Sequence, residues 1–379
     1  MSQFVRRRAA CVALALPLAL VACSSESTTT STSSSTTSGS ASASSTSATG
    51  SESSTAGPEL TRTDTLTVVT HDSFALSDEV KKQFESDTGI KVTYVAPGDA
   101  GAMANQLILT KDSPLGDVVF GIDNTLATKV IDAGVLSPYA DAALPESAGQ
   151  YAESTHSLTP IDFGDVCVNA DKGWFADKKL DLPKSLDDLT DPAYKDQLVV
   201  ENPASSSPGL AFLAATVGAK GEDGYLDYWK SLSANGVKVA KGWTEAYSGD
   251  FSGSSGKGDR PLVVSYATSP AFEVSEDGKE SRTTALLDTC FRQVEYAGVL
   301  KGAQNEVGAR KFIDYLLTAG VQSEIPTQMY MYPVDASIDL PQEWVKFAPL
   351  APKPIAVEPK TIADNRETWV KDWTATVLR

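Results

Sequence analysis

Short runs of β-branched residues alternate with segments of helical spacing from residue 66 onward. In the segment 77–90, Ser77 suits a helix N-cap, Val80 and Phe84 fall on one face, and Gly89 suits the C-terminal stop. Strands that alternate with helices in this way predict βαβ units and parallel pairing. The strands predicted in this first region are LTVVTHDSF (66–74), KVTYVAPGDAG (91–101) and GDVVFGIDNT (116–125).

A second region repeats this alternation, and extended segments join it to the first. Two further segments near the end, 309–325 and 366–378, have the spacing of amphipathic helices. We therefore predict an α/β fold of two lobes, with mixed, mainly parallel sheets and a hinge. The predicted organisation is a signal peptide (1–22), a tether (23–57), lobe 1 (58–165), lobe 2 (166–289) and a return to lobe 1 with C-terminal helices (290–379).

The N-terminus predicts export. Arg6–Arg8 precede an apolar run that is too short to span a membrane, and the run ends in Leu-Val-Ala-Cys at Cys23. This ending resembles the bacterial lipobox, so we expect Cys23 to carry lipid; an ordinary secretory peptide with an incidental Cys is the alternative. The Ser- and Thr-rich residues that follow favour a disordered tether. The folded part would then work at the outer face of the cell membrane, anchored by lipid.

Charge and cysteine usage narrow the possibilities further. The formal net charge is −17, from 49 acidic and 32 basic side chains, which argues against a nucleic-acid partner and favours a cationic ligand. Cys11 leaves with the signal peptide and Cys23 carries lipid, so two cysteines remain. In an oxidising compartment, Cys167 and Cys290 are expected to form a disulfide worth about 4–5 kcal/mol, although two buried thiols would also fit.

Catalytic motifs are missing from the sequence. The two histidines, His71 and His156, lie in no H-x-x-x-H arrangement, and there is no C-x-x-C, G-x-S-x-G or P-loop motif. We therefore predict no enzymatic activity, no cofactor and no metal site. A surface hydrolase remains the alternative from a different class of protein.

Polar and aromatic residues cluster where the predicted strands end, which is where open α/β sheets bind ligands. The Ser-Ser-Ser-Pro-Gly stretch (205–209) opens a helix, and that end can hold an anion or simply cap itself. Aromatic faces at Trp243, Tyr247, Tyr266 and Tyr330 would suit a flat cationic ring, or would pack in the core instead. Carboxylates that would favour the same positive charge are Asp72, Asp99 and Asp123.

The segments KGWTEAY (241–247) and SYATSP (265–270) resemble, in combination, the thiamine-binding proteins of ABC importers. The likeness runs from about residue 66 to 379. It implies a type II periplasmic binding fold that closes over thiamine, or its mono- or diphosphate, and delivers it as a monomer to a membrane permease. Other segments that carry the resemblance are THDSFA, GDVVFGIDN, PIDFGDVCVNADKGWF, SSSPGLAFL, FRQVEYAGVL and IPTQMYMYPV.

The resemblance also implies a set of ligand-binding residues. Those expected at the rings are His71, Trp243, Tyr266 and Tyr330, and those expected at polar and phosphate groups are Asp99, Ala100, Ser206, Ser207, Ala267, Thr268 and Ser269. Asp72, Asp123 and Tyr247 would support them.

Three positions depart from the family's pattern, which has Tyr at His71, Gly at Ala100 and Trp at Tyr330. A protonated histidine would repel a cation at low pH. Two other ligands of the same fold remain alternatives: a ferric ion bound through Tyr330 and Tyr332, or a polyamine drawn by the acidic charge.

Overall fold

The computed structural model describes residues 60–254 and 258–378, which belong to one compact unit, Gly57–Arg379. The predicted signal peptide (1–22), the predicted lipidation site Cys23 and the predicted tether (23–57) lie outside the described residues. Within the described part, no helix has both the length and the apolar character needed to cross a membrane.

Strands and helices alternate over most of the described chain. The strands are β1 (Thr65–Thr70), β2 (Lys91–Val95), β3 (Val118–Asp123), β4 (Leu136–Ser137), β5 (Thr159–Asp171), β6 (Leu198–Glu201), β7 (Lys238–Ala240), β8 (Leu262–Tyr266), β9 (Thr283–Leu300) and β10 (Tyr332–Pro333). The helices are α1 (Asp78–Thr88), α2 (Ala100–Leu109), α3 (Ala127–Asp132), α4 (Lys172–Lys178), α5 (Ser207–Lys220), α6 (Tyr225–Ala234), α7 (Glu306–Leu316), α8 (Ala319–Gln328), α9 (Gln342–Phe347) and α10 (Pro359–Val377).

The strands form one mixed sheet in the order β2-β1-β3-β9-β5-β8-β6-β7, with β4 and β10 at its margins. The ladders β2-β1-β3 and β8-β6-β7 are parallel, as expected, and each is the framework of one lobe. The sheet is not mainly parallel, however, because the long strands β5 and β9 pair antiparallel with each other and with β8 and β3. These two strands are the extended segments that join the lobes.

We call lobe 1 the part built on β1–β3 with α1–α3, α7 and α8, and lobe 2 the part built on β6–β8 with α4–α6 and α10. The chain crosses between them within β5 and β9, and the lobe boundaries given above stay a prediction. In lobe 1, Phe84 of α1 meets Phe312 of α7 edge-on at 5.3 Å. In lobe 2, Trp229 of α6 and Trp373 of α10 meet edge-on at 5.4 Å, so the C-terminal helix covers this lobe.

The helix ends follow the chemistry of their capping residues. The Ser77 hydroxyl accepts from the backbone N–H of Val80, and Gly89 adopts φ +72° after α1, so both predicted helix ends are confirmed. The helix α2 begins at Ala100, earlier than the pattern indicated, because the Asp99 carboxylate caps it.

The single helix expected over 309–325 is wrong. The segment forms two helices, α7 and α8, because the backbone turns to the extended region at Thr318 (ψ 148°), directly before α8 begins. The spacing of apolar residues continues across this turn, so the pattern alone did not indicate the break.

A disulfide joins Cys167 of β5 to Cys290 of β9, residues that are 123 positions apart, and the predicted pairing is confirmed. The β5–β9 register shifts between Val166 and Val168, so the bridge lies at an irregular point of the ladder. Both cysteines are fully buried. The bridge thus ties together the two strands that cross between the lobes.

Candidate ligand-binding site

A cavity of about 460 Å³ lies between the lobes, beyond the carboxyl ends of β1, β7 and β8. Its volume falls within the range of small-molecule sites. Most of the residues that the sequence singled out line this cavity. They are His71, Asp72, Asp99, Ala100, Ser207, Trp243, Tyr247, Tyr266, Ser269 and Tyr330.

Four of the predicted residues lie behind the lining. Ser206 is fully buried as the N-cap of α5, where its hydroxyl accepts from the N–H of Gly209. The N–H of Ala267 donates to the Asp165 carbonyl, and the Thr268 hydroxyl donates to the Tyr330 carbonyl. Asp123 is also buried, so these residues shape the cavity through others rather than facing it.

Trp243 begins a π-helical turn, Thr244–Asp250, directly after β7. Its ring stacks on Tyr247, with ring centres 5.0 Å apart and planes 12° apart, and its Nε1 donates to the Ser265 hydroxyl at 2.8 Å. The Tyr247 hydroxyl in turn donates to Glu273 at 3.1 Å. Trp243 is half-buried: it packs against a core cluster and also lines the cavity.

Asp99 links lobe 1 to lobe 2 with one carboxylate. Its Oδ1 accepts from the N–H groups of Ala100 at 2.6 Å and Ser207 at 3.1 Å, and its Oδ2 accepts from the N–H of Trp243 at 3.0 Å. Burial raises the pKa of Asp99, against the lowering effect of these hydrogen bonds. The helix start that the sequence offered to an anion is therefore bonded to a protein carboxylate in this structure.

Asp123 ends β3 and makes the second link between the lobes. Its Oδ1 accepts from the N–H and hydroxyl of Thr125 and from the N–H of Leu126, and its Oδ2 accepts from the Ser207 hydroxyl. Burial raises the pKa of Asp123 to about 6 despite these bonds. The carboxylate is thus held charged at neutral pH by neighbours that only partly offset its desolvation.

His71 lies between the cavity and Glu295 of β9. Its Nδ1 accepts from the N–H of Ser73 at 3.2 Å, and its Nε2 is 3.7 Å from Glu295 Oε1. Burial by itself lowers the pKa of His71, but the carboxylates of Glu295, Asp99 and Asp72 outweigh it and raise the pKa above its ordinary value.

Tyr330 and Tyr332 do not meet in the cavity. Tyr330 lines it, with φ +56° and its ring edge-on to Phe272 at 4.7 Å. The Tyr332 hydroxyl donates to the Ala348 carbonyl and lies away from the lining. No group of three or more His, Cys, Asp or Glu residues in the described ranges could hold a metal ion.

Several residues that line the cavity were not predicted from the sequence, among them the carboxylates Glu273 and Glu295. Glu295 lies inside the apolar run VEYAGVL of a buried strand, and an acidic residue there is a signal that could have indicated the site. The others carry no such signal, because they lie in turns and at the ends of helical segments that no local pattern directs to the cavity. The lining residues outside the predicted set include Thr244, Ser248, Ser254, Phe272, Glu273, Glu295, Gln328, Met329 and Met331.

Comparison with known proteins places the chain among binding proteins. Residues 113–350 match a family described as bacterial extracellular solute-binding protein. The thiamine-binding periplasmic protein of Salmonella typhimurium is 32% identical over 321 residues, which cover 83% of this chain and 94% of that protein. The thiamine-binding periplasmic protein of Brucella suis is also 32% identical, over 83% of this chain and 93% of its own length.

Solved structures give the same result for the fold. A periplasmic thiamin binding protein superposes with a TM-score of 0.71 at 29% identity, over 83% of this chain and 96% of its own. The predicted two-lobed periplasmic binding fold is thereby confirmed. The apo ferric ion-binding protein A of Pasteurella haemolytica has a TM-score of 0.63 at 18% identity, a likeness that extends to the fold alone.

Proposed function

The chain belongs to the family of bacterial extracellular solute-binding proteins, and on that premise we propose that it captures thiamine in the cavity between its lobes. Family membership confirms the prediction that it is a binding protein and not an enzyme. The observation that carries the thiamine proposal is the cavity itself, where stacked rings and carboxylates face one space.

The ligand's chemistry matches that lining. Thiamine joins a cationic thiazolium ring to an aminopyrimidine ring, and both rings are flat. The indole of Trp243 offers a rigid face, since Tyr247 supports it from behind and Ser265 fixes its Nε1. A desolvated cation over such a face gains about 2 kcal/mol. Asp99 and Glu295 add negative charge to the same cavity.

Ferric ion and polyamine are less well supported. A tyrosine pair for iron would require Tyr330 and Tyr332 to share the cavity, and Tyr332 is bonded to Ala348 outside it. A flexible polyamine would not need the rigid, supported ring of Trp243. These ligands therefore serve as controls.

The test is calorimetric titration of the purified protein, first unfolded and refolded to remove bound ligand. Thiamine, its monophosphate and its diphosphate would be compared with ferric citrate and spermidine. We expect one-to-one binding of thiamine with micromolar affinity or tighter. A folded protein that binds none of the three thiamine forms would contradict the proposal, as would saturable binding of a control compound alone.

We further propose that the protein acts as a monomer, anchored through lipid on Cys23, and hands its ligand to an ABC permease. Intact mass of the membrane-extracted protein would show a diacylglyceryl addition. Cys23→Ala should shift the protein from the membrane fraction to the soluble fraction without changing its affinity for thiamine. Retention of this variant at the membrane would rule out Cys23 as the anchor.

A further inference from the structure

Glu295 is a carboxylate placed in the middle of a buried strand. Its residue is only 5% exposed, yet it lines the cavity. In the sheet it stands opposite Asp123 of β3 on one side and Asp162 of β5 on the other. Acidic side chains are rarely buried without a partner, so this position calls for a functional account.

Glu295 accepts one side-chain hydrogen bond, from Gln293, and lies near the imidazole of His71. The Gln293 amide donates to Oε1 at 3.2 Å, and Tyr266, whose ring also lines the cavity, exchanges hydrogen bonds with the same amide. The Nδ1 of His71 accepts from Ser73, so the neutral imidazole carries its proton on Nε2, which lies 3.7 Å from Glu295. That buried Nε2 has no hydrogen-bond partner among the described residues.

Asp162 completes the arrangement from behind. It is fully buried, and neither of its oxygens has a hydrogen-bond donor among the described residues. Burial first, and the neighbouring Glu295 second, raise the pKa of Asp162 well above its ordinary value. The raised pKa favours the protonated form of Asp162 beside Glu295. Glu295 is thus an acceptor that has Gln293, His71 and Asp162 around it and faces the cavity.

We propose that Glu295 determines which ring the cavity accepts, by receiving hydrogen bonds from the amino-bearing edge of a flat heteroaromatic ligand. This assignment rests on the proposed function and goes beyond it, because it names the edge that is recognised. A ring amino group donates to a carboxylate, whereas an oxo group in its place would face Glu295 acceptor to acceptor. Sites built to bond a polar group reject an analogue that lacks it far more strongly than apolar contacts do.

The experiment compares thiamine with oxythiamine, in which an oxo group replaces the amino group of the pyrimidine. We expect the wild type to bind thiamine at least about tenfold more tightly. In Glu295→Gln, the carboxamide can turn its NH2 towards the oxo group, and the ratio of the two affinities should fall to within about threefold of unity. Glu273→Gln is the matched control, since Glu273 also lines the cavity but accepts from Tyr247. It should keep the wild-type ratio.

Equal affinity of the wild type for both compounds would overturn the assignment without any variant. A Glu295→Gln protein that keeps the wild-type ratio would overturn it too, and so would a collapse of the ratio in Glu273→Gln. Failure of the wild type to bind either compound would instead contradict the proposed function, and with it this assignment. If the wild type binds thiamine but does not prefer it to oxythiamine, the proposed function is supported and the role assigned to Glu295 is contradicted.

Discussion

The two sides of the cavity differ in what they present. We call one side the carboxylate wall; it consists of Asp72 and Asp99 of lobe 1 with Glu295 of β9. We call the other side the ring wall; it consists of Trp243, Tyr247 and Phe272 on the lobe 2 side. The ring wall continues into a core cluster that includes Phe251 and Val263, so the packing that presents the rings also stabilises the fold.

In the carboxylate wall, by contrast, burial is unfavourable for the charged groups. Burial raises the pKa of Asp99, and of Asp123 behind it, which means that the fold holds these charges against a desolvation cost. Lobe 1 supplies some of the hydrogen bonds that offset this cost, through Ala100, Thr125 and Leu126. Lobe 2 supplies the others, through Ser207 and Trp243. The ring wall therefore rests mainly on packing within lobe 2, whereas the carboxylate wall also depends on donors supplied by the facing lobe.

The largest expected effect is on stability, at Asp123. Its folded-state pKa of about 6 is above its unfolded value, so the stability that its protonated form contributes is fully present below about pH 4 and is lost as pH rises through about 6. Over this pH range the free energy of unfolding of the wild type should therefore fall by about 3 kcal/mol relative to that of Asp123→Asn. Denaturant titrations from pH 4 to pH 7 measure it. The exposed Asp339→Asn is the control, and parallel profiles for wild type and Asp123→Asn would disprove the cost assigned to this wall.

An intermediate effect is expected on the ring wall. Trp243→Ala removes the face supported by Tyr247 but keeps the backbone N–H that Asp99 uses, so thiamine affinity should fall by about 2 kcal/mol, roughly 30-fold. Calorimetry measures the loss. Trp174→Ala, a half-buried tryptophan of α4 outside the cavity, should bind like the wild type. Unchanged affinity in Trp243→Ala would mean that this ring packs in the core and does not contact the ligand.

The smallest expected effect is on the pH dependence of thiamine affinity, through His71 beside the carboxylate wall. As pH falls through the raised pKa of His71, the imidazolium repels a cationic ligand and neutralises the field of Glu295. We expect wild-type affinity for thiamine to be about fivefold weaker at pH 5.5 than at pH 8, a difference of about 1 kcal/mol. His71→Phe should lose this part of the pH dependence. An identical pH profile in His71→Phe would assign the dependence to another group, or to the ligand.

The sequence predicted the site where local rules apply. His71 follows β1, Asp99 and Trp243 lie in the segments after β2 and β7, and Tyr266 ends β8. The strand-end rule predicted all four residues at the cavity that they line. The stretch 205–209 left open whether it caps its own helix or holds an anion, and Ser206 does cap α5. The pattern could not indicate that a lobe 1 carboxylate bonds the helix start beside it.

The rest depended on contacts between distant parts of the chain. Glu295 reaches the cavity because β9 lies between β3 and β5, an order that apolar spacing does not encode. The antiparallel crossing of β5 and β9 was missed for the same reason, since each strand alone shows only an extended pattern. Phe272 and Met329 arrive through turns whose paths are set by packing rather than by local sequence.

The bridge between Cys167 and Cys290 closes one segment of the chain into a loop and leaves the segments on either side outside it. All of β6, β7 and β8 lies between the two cysteines, so the framework of lobe 2 is a covalently closed ring. Lobe 1 is assembled from chain on both sides of that ring. A single proteolytic cut between residues 167 and 290 would leave the two parts of the chain covalently joined until the bridge is reduced. A cut in β1–β3 or α7–α8 would instead leave a fragment that only non-covalent packing holds in place. The strands that carry the ring wall therefore lie in the part of the chain that a single cut leaves covalently joined.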